Sequence, residues 1–297
     1  MWKRIVMTGV AICSGLISYA QHSKYFAVEN TGDFKKIVLD YSSTSGVCYI
    51  SPSTKPEAFS MYGNRDIDDY NHSFSKTLVN KTLNIDLKIE DKTSDNFSQS
   101  ISDKMFKREK NDSGGAWKIF LSDEKIYELK MNFGVGDAYI DLSGLQIEKL
   151  NVNTGSADIN IGYLSGIRNQ HRMDTFNVKV DLGSVQMRRL SLANAKVIIA
   201  EIGFGDAYLD LSEKPKESSY IDASVGVGNL VVVVPRTGTG IKIMVNSSML
   251  CQVKLSKSFR ENSPDVFINE FYEEGGENQL VFNVDVSLGT IQFKEKK

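Results

Sequence analysis

Four polar residues recur at matching positions along the sequence and carry oxygen atoms that can bind a cation. Asp137, Asp158 and Asp206 are followed by Asn229, and Ser184 takes the equivalent place between Asp158 and Asp206, so that the intervals are 21 to 26 residues. Carboxylates stacked in successive turns can ligate Ca²⁺. Ser184 interrupts the row, however, and the glycine density of calcium-binding repeats is missing. We therefore expect these side chains to hydrogen-bond the turn backbone, without a bound metal or cofactor.

A second polar set lies just after the first and includes two tyrosines. If Ala138 and Ile140 point inward in a strand, their neighbours point outward. The same alternation in the later repeats predicts a binding face made of Tyr139, Asp141, Asn160, Gln186, Arg188, Tyr208 and Asp210. Tyrosine rings can stack on sugars while hydroxyls and carboxylates hydrogen-bond, so a glycan or an envelope protein is the expected partner. An ordinary solvated strand face remains the alternative, and Gly162 interrupts the row that contains Asp141.

No arrangement of residues typical of catalysis is found. The sequence contains no P-loop, G-x-S-x-G, H-E-x-x-H or C-x-x-C motif, and no catalytic residue is predicted. His171 lies in a basic loop with Arg168 and Arg172, and together with Arg188 and Arg189 it could bind an anion. A solvated loop fits the same residues.

The elements that must position these side chains are repeats. FGVGDAYIDLS (133–143) and IGFGDAYLDLS (202–212) share eight of eleven residues. Each copy reads as a strand, a glycine turn and a second strand, because apolar residues alternate on both sides of the glycines. The residues assigned to these turns are Gly134, Gly136, Asp137, Gly155, Asp158, Gly183, Gly203, Gly205, Asp206, Gly226, Gly228 and Asn229.

The repeats predict an all-β protein with no sustained helical periodicity. Regular spacing near 22 residues favours a single-stranded β-helix, or solenoid, whose ends are covered by capping loops. The alternative is an antiparallel β-sandwich in which every glycine turn is a hairpin.

The chain divides into three predicted parts. Residues 1–20 read as a cleaved, non-lipidated signal peptide, residues 21–124 as an atypical β segment with a polar insertion, and residues 125–297 as the repetitive domain. An insertion at 247–277 is expected to cover Val231–Val234, where both strand faces are apolar. No later apolar run is long enough to span a membrane, so no transmembrane anchor is expected after the signal peptide.

Charge and cysteine content narrow the functional classes further. The chain has 35 basic and 37 acidic residues, and Lys3 and Arg4 lie in the predicted signal peptide. The remaining excess of acidic residues argues against nucleic acid as a partner. In an oxidising compartment Cys48 and Cys251 could form a disulfide or remain two separate thiols.

The glycine motifs followed by D-L-S resemble those of the bacterial toast-rack, or adhesin-like, envelope proteins and the related GIN-head families. The resemblance covers about 125–246, with fainter copies at 31–50 and 278–293, and FGVGDAYIDLSGLQIEKLNVNTGSADINI is its most specific stretch. It implies a right-handed β-coil, an exported location and no established enzymatic activity.

The sequence therefore predicts an exported, non-catalytic interaction scaffold of the periplasm, the cell surface or the medium. Two alternatives stay open. One is a regulator of envelope stress that binds a sensor domain. The other is a glycan-cleaving β-helix enzyme, which would need carboxylates clustered in a groove.

Overall fold

The structure, a computed structural model, describes residues 23–92, 115–246 and 248–296. The predicted signal peptide and His22 lie outside these residues. Within them the protein is all-β, with two short 3₁₀ helices at Ile67–Asp69 and Leu190–Ala193. No helix of the described part has the length and apolarity needed to cross a membrane.

Within these described ranges eighteen strands form one sheet. In chain order they are β1 (Ser23–Glu29), β2 (Lys36–Ser53), β3 (Glu57–Gly63), β4 (Tyr70–Val79), β5 (Thr82–Asp91), β6 (Ala116–Ser122), β7 (Ile126–Asp141), β8 (Gln146–Gly162), β9 (Met173–Leu182), β10 (Val185–Arg188), β11 (Ala195–Phe204), β12 (Ala207–Asp210), β13 (Ser219–Val234), β14 (Ile241–Val245), β15 (Cys251–Lys254), β16 (Arg260–Ser263), β17 (Val266–Ile268) and β18 (Leu280–Glu295).

Most of the strands stack in parallel as rungs of a coil. Each rung has a first arm, a corner and a second arm, which in β7 lie before, at and after Gly136. Parallel register connects the rungs in the following order: rung 1 (β5 and β6), rung 2 (β2), rung 3 (β7), rung 4 (β8), rung 5 (β9 and β10), rung 6 (β11 and β12), rung 7 (β13), rung 8 (β18) and rung 9 (β14 and β15). Successive repeats thus pair in parallel as a β-solenoid, and the hairpin layout of the sandwich alternative does not describe them.

Rung order departs from chain order at both ends of the stack. Strand β2 lies between β7 and the outer rung made of β5 and β6. At the other end β18 lies between β13 and the outer rung made of β14 and β15. Antiparallel strands flank both ends: β4 pairs with β5, β3 with β6 and β17 with β14. Because open strand edges invite pairing with other chains, these strands protect much of the stack.

The core lies inside the coil and is filled by alternate residues of every rung. Trp117, Tyr127, Phe176 and Phe282 are fully buried, and burying a large apolar side chain stabilises the fold by about 1.5–3 kcal/mol. The alternation predicted for 125–246 therefore places its apolar members in the interior.

Glycine at the corners has a steric cause that differs from a hairpin turn. Strand β7 continues through its corner without a break. Gly205 has a φ of +142°, and a Cβ there would lie 1.8 Å from the carbonyl oxygen of Gly183 in the previous rung. Both the dihedral angle and the close approach of the backbones require glycine at this position. Rungs 4 and 9 are exceptions, because Ala157 is the register partner of Gly136 and Cys251 that of Gly289.

The cysteine pairing considered from the sequence is wrong. Cys48 and Cys251 are both free and belong to rungs 2 and 9. Seven ladder steps of about 4.8 Å separate them, whereas a disulfide joins Cα atoms less than about 7 Å apart.

The segment after β14 has a different role from the predicted one. Its described part contributes β15, β16 and β17 to the end of the coil. Val231 is instead half-buried beside Tyr208 and Gln292, its ladder neighbours. Packing within the sheet thus covers the outward valines without a separate lid.

Candidate binding face

The outward row of the second arms contains the predicted tyrosines. Parallel register places Tyr139 beside Asn160, Asn160 beside Gln186 and Gln186 beside Tyr208. The row runs along the stack axis, since each member lies one rung from the next. We call this row and the adjoining outward row of the same arms the second-arm face; its role in binding stays a prediction.

A stacked aromatic pair begins the second-arm face. Tyr49 of β2 is the register partner of Tyr139, and their ring centroids lie 5.2 Å apart with an interplanar angle of 13°. The two side chains are 39% and 41% exposed. Sequence reasoning missed Tyr49, although aligning GVCYI (46–50) with GDAYI (136–140) could have identified it.

The adjoining row holds Asp141, Gly162, Arg188 and Asp210. Asp141 accepts hydrogen bonds through Oδ1 from the backbone N–H of Ser143 (3.0 Å), the Ser143 hydroxyl (2.6 Å) and the backbone N–H of Leu164 (3.2 Å). These bonds turn the chain out of the sheet, which explains the aspartate of the D-L-S motif. Asp141 is therefore a turn residue, with limited capacity to bind a ligand.

Asp210 repeats this arrangement with fewer bonds. Its Oδ1 accepts the backbone N–H of Ser212 at 3.0 Å. The neighbouring Arg188 donates to Oε1 of Gln186 at 3.0 Å. Partial burial raises the pKa of Tyr208; Asp210 raises it further and Arg188 lowers it, so the phenol lies in the field of both charges.

An open groove of about 540 Å³ lies beside Tyr208. Its lining comprises Tyr163, Leu164, Gln186, Arg188, Arg189, Tyr208 and Asp210. The Tyr163 side chain is buried, and within the described residues its hydroxyl has no hydrogen-bond partner. The groove therefore combines aromatic rings with guanidinium, amide and carboxylate groups that could bind a polar ligand.

The corner aspartates hydrogen-bond from one rung to the next. Asp158 Oδ1 accepts the backbone N–H of Ser184, and Asp206 Oδ1 accepts that of Asn229, both at 2.9 Å. The Asn229 side-chain amide also donates to Asp206 at 2.8 Å. Across the described residues no group of three or more His, Cys, Asp or Glu is placed to hold a metal ion.

The basic loop is tied to the backbone of neighbouring rungs. Arg168 donates to the carbonyls of Ser191 and Lys214, while Arg172 donates to that of Ser218 and pairs with Glu217 at 3.3 Å. His171 hydrogen-bonds Gln146 at 3.1 Å. Arg188 and Arg189 line the groove, whereas Arg168 and Arg172 are held in the loop by these bonds to the protein.

The sequence matches one family model. Residues 20–188 match the model described as the N-terminal domain of toast_rack, DUF2154. This match spans more than half of the chain. No curated protein matches the sequence.

Solved structures also match this chain at low sequence identity, among them two named for adhesion. One is named as a putative cell adhesion protein from Clostridium sporogenes ATCC 15579, with a TM-score of 0.44, 16% identity, and coverage of 93% of this chain and 100% of that one. The other is named as a putative adhesin from Bacteroides fragilis NCTC 9343, with a TM-score of 0.28, 16% identity, and coverage of 92% and 96%.

Proposed function

The chain belongs to the toast-rack family, and on that premise we propose that it is an exported, adhesin-like protein of the cell envelope. In this proposal it binds a surface glycan through the second-arm face, as a non-catalytic scaffold with a right-handed coil. Connections between parallel strands of one sheet are nearly always right-handed, which supports the handedness.

The observation that carries the proposal is the stacked, exposed pair Tyr49 and Tyr139 in line with Tyr208. Tyrosine combines an apolar ring with a polar hydroxyl and is enriched at binding interfaces, and a sugar ring offers C–H groups and hydroxyls that match both. The rungs place Tyr139 and Tyr208 three ladder steps apart, about 14 Å. An extended oligosaccharide could contact both, whereas a single small molecule could not.

A second line of support concerns catalysis. A glycosidase needs two carboxyl groups about 5–9.5 Å apart. Asp141 and Asp210 occupy one row but are separated by Gly162 and Arg188, hence by about 14 Å at the backbone. Both carboxylates also accept turn hydrogen bonds. This geometry favours binding over cleavage.

The experiment compares two tyrosines of equal exposure. Tyr208 and Tyr220 are both 38% exposed, but Tyr220 lies on the first arm of β13, away from the second-arm face. Binding of the full chain to an array of surface polysaccharides should fall at least tenfold in Tyr208→Ala and in Tyr139→Ala. It should stay unchanged in Tyr220→Ala. An equal loss in all three variants, or no binding by the unmodified protein to any glycan, would contradict the proposal.

A further inference from the structure

We propose that an exposed apolar ridge at the corners of rungs 5 to 9 binds a second copy of this chain. The corner ridge consists of Leu182, Phe204, Val227, Leu288 and Leu250. Four of its members are strongly exposed: Phe204 by 60%, Val227 by 39%, Leu288 by 45% and Leu250 by 71%. It lies apart from the second-arm face, so this inference goes beyond the proposed function and does not depend on it.

Register makes the corner ridge continuous. Leu182 pairs with Phe204, Phe204 with Val227 and Val227 with Leu288. Leu250 extends the line, because Cys251 after it pairs with Gly289. Each side chain therefore follows the previous one at the ladder spacing of about 4.8 Å.

The same corner position is mostly polar in the first half of the stack. Ser45, Val135 and Ser156 precede Leu182 in the row. The change from two serines with one valine to five apolar residues is confined to one end. A general property of corners would not produce that difference, so the corner ridge needs a local explanation.

The apolar area is large for a free surface. Together with Met249, which is fully exposed, the corner ridge forms an exposed apolar patch of the kind that marks an interaction site. A standard protein interface buries about 800 Å² on each partner. A dimer interface would therefore include the outward rows beside the corner ridge as well.

The surface around the corner ridge is complementary to itself. Phe204 lies between Gly203 and Gly205, and Val227 between Gly226 and Gly228, so in rungs 6 and 7 no neighbouring side chain screens the ridge residue. A second copy has the same spacing between rungs, so that its ridge can meet this one along the stack. A two-fold axis perpendicular to the stack, between rungs 6 and 7, would set Phe204 of each copy against Val227 of the other.

Charge supports this antiparallel arrangement. The outward row four residues before the corner glycines Gly183, Gly205, Gly228 and Gly289 contains Lys179, Glu201, Ser224 and Asp285 in rungs 5 to 8. The two-fold axis between rungs 6 and 7 brings rung 5 of one copy to rung 8 of the other. Lys179, which pairs with Glu201 of its own chain at 3.6 Å, then also faces Asp285 of the other copy. This complementarity favours a second copy over an unrelated apolar surface.

The test is the mass of the full chain in solution as a function of concentration. Sedimentation velocity should show a monomer–dimer equilibrium for the unmodified protein at micromolar concentration. Phe204→Glu should weaken dimerisation at least tenfold, because it buries an unpaired charge at the two-fold axis. Tyr208→Glu, on the same rung but on the second-arm face, should leave the equilibrium unchanged.

Each other outcome overturns the proposal. A protein that stays monomeric at the highest concentration reached, or a Phe204→Glu variant that dimerises as well as the unmodified chain, contradicts it. If Phe204→Glu fails to fold by circular dichroism, Leu250→Glu in the connection before β15 replaces it. Pelleting of a monomeric protein with phosphatidylcholine–phosphatidylglycerol vesicles, lost in the variant, would instead assign the corner ridge to a lipid surface.

Discussion

The carboxylate of Asp158 accepts a hydrogen bond from the backbone N–H of Ser184, at 2.9 Å, across 26 residues of sequence. Asp206 makes the same bond to Asn229. An aspartate at the corner thus satisfies a donor of the following rung, in addition to the ladder bonds of the arms. The repeated aspartates consequently fix the register of the stack.

Asp206→Ala should lower the free energy of unfolding by about 0.5–1.5 kcal/mol, because the hydrogen bonds from the Asn229 backbone N–H and side-chain amide are lost while water can reach both exposed residues. Urea denaturation followed by circular dichroism measures the change. Thr290→Ala, at the same corner position of rung 8, is the control and should cost less than Asp206→Ala. A rise of several degrees in melting temperature on adding millimolar Ca²⁺ to the unmodified protein would contradict the hydrogen-bonding role.

Gly205→Ala should destabilise the protein by more than about 3 kcal/mol. The new Cβ would lie 1.8 Å from the Gly183 carbonyl oxygen, and the φ of +142° at this position is unsuited to alanine. Gly32→Ala is the matched control, because nothing lies within 4 Å of a Cβ at that position. Thermal melting of both variants checks the prediction. Equal melting temperatures would show that the corner backbone can relax.

The repeats allowed the parallel stack of 125–246 to be predicted, because identical corner residues at a regular spacing require equivalent positions in successive rungs. Rung order at the ends could not be predicted. Strand β18 is inserted between β13 and β14, and the fainter copy of the repeat that it carries does not show on which side of β14 it pairs. The disulfide hypothesis failed for the same reason, since the distance between Cys48 and Cys251 depends on how many rungs separate them.

Part of the candidate site was also visible in the sequence. Alternation identified Tyr139 and Tyr208 as outward residues, but the same pattern could not distinguish Asp141, which is held by turn hydrogen bonds. The corner ridge escaped notice because Phe204 and Val227 lie between glycines, where the inward–outward alternation of a strand is interrupted. Exposure at a corner depends on the path of the backbone, which period-two patterns do not encode.

Tyr163→Phe should leave the free energy of unfolding unchanged or raise it by about 1 kcal/mol. Its hydroxyl is buried, and among the described residues no hydrogen bond satisfies it, so removing the oxygen removes a desolvation cost. Burial raises the pKa of this phenol, and the charge of Asp141 raises it further. Tyr127→Phe is the opposite case, because that hydroxyl donates to the carbonyls of Ala58 at 2.8 Å and Ser122 at 2.9 Å.

Urea titrations of the two variants under the same conditions measure the contrast. Tyr127→Phe should cost about 1–3 kcal/mol, because two buried carbonyl oxygens lose their donor. A Tyr163→Phe variant destabilised as much as Tyr127→Phe would show that the Tyr163 hydroxyl is bound in solution, for example by water at the floor of the groove.

Cys48 and Cys251 should react with iodoacetamide at very different rates in the folded protein. Burial raises the pKa of the Cys48 thiol to about 12, so at pH 8 only about one molecule in ten thousand carries the reactive thiolate. The side chain is also only 2% exposed, so the reagent cannot reach it easily. Cys251 is partly exposed, and burial raises its pKa as well. Peptide mapping by mass spectrometry should therefore find native labelling at Cys251, accelerating from pH 7 to pH 9, while Cys48 is labelled only in denaturant. Labelling of Cys48 under native conditions would mean that the second arm of rung 2 opens. If neither thiol were labelled in the absence of reductant, even in denaturant, the two cysteines would be joined by a disulfide, contrary to the rung separation.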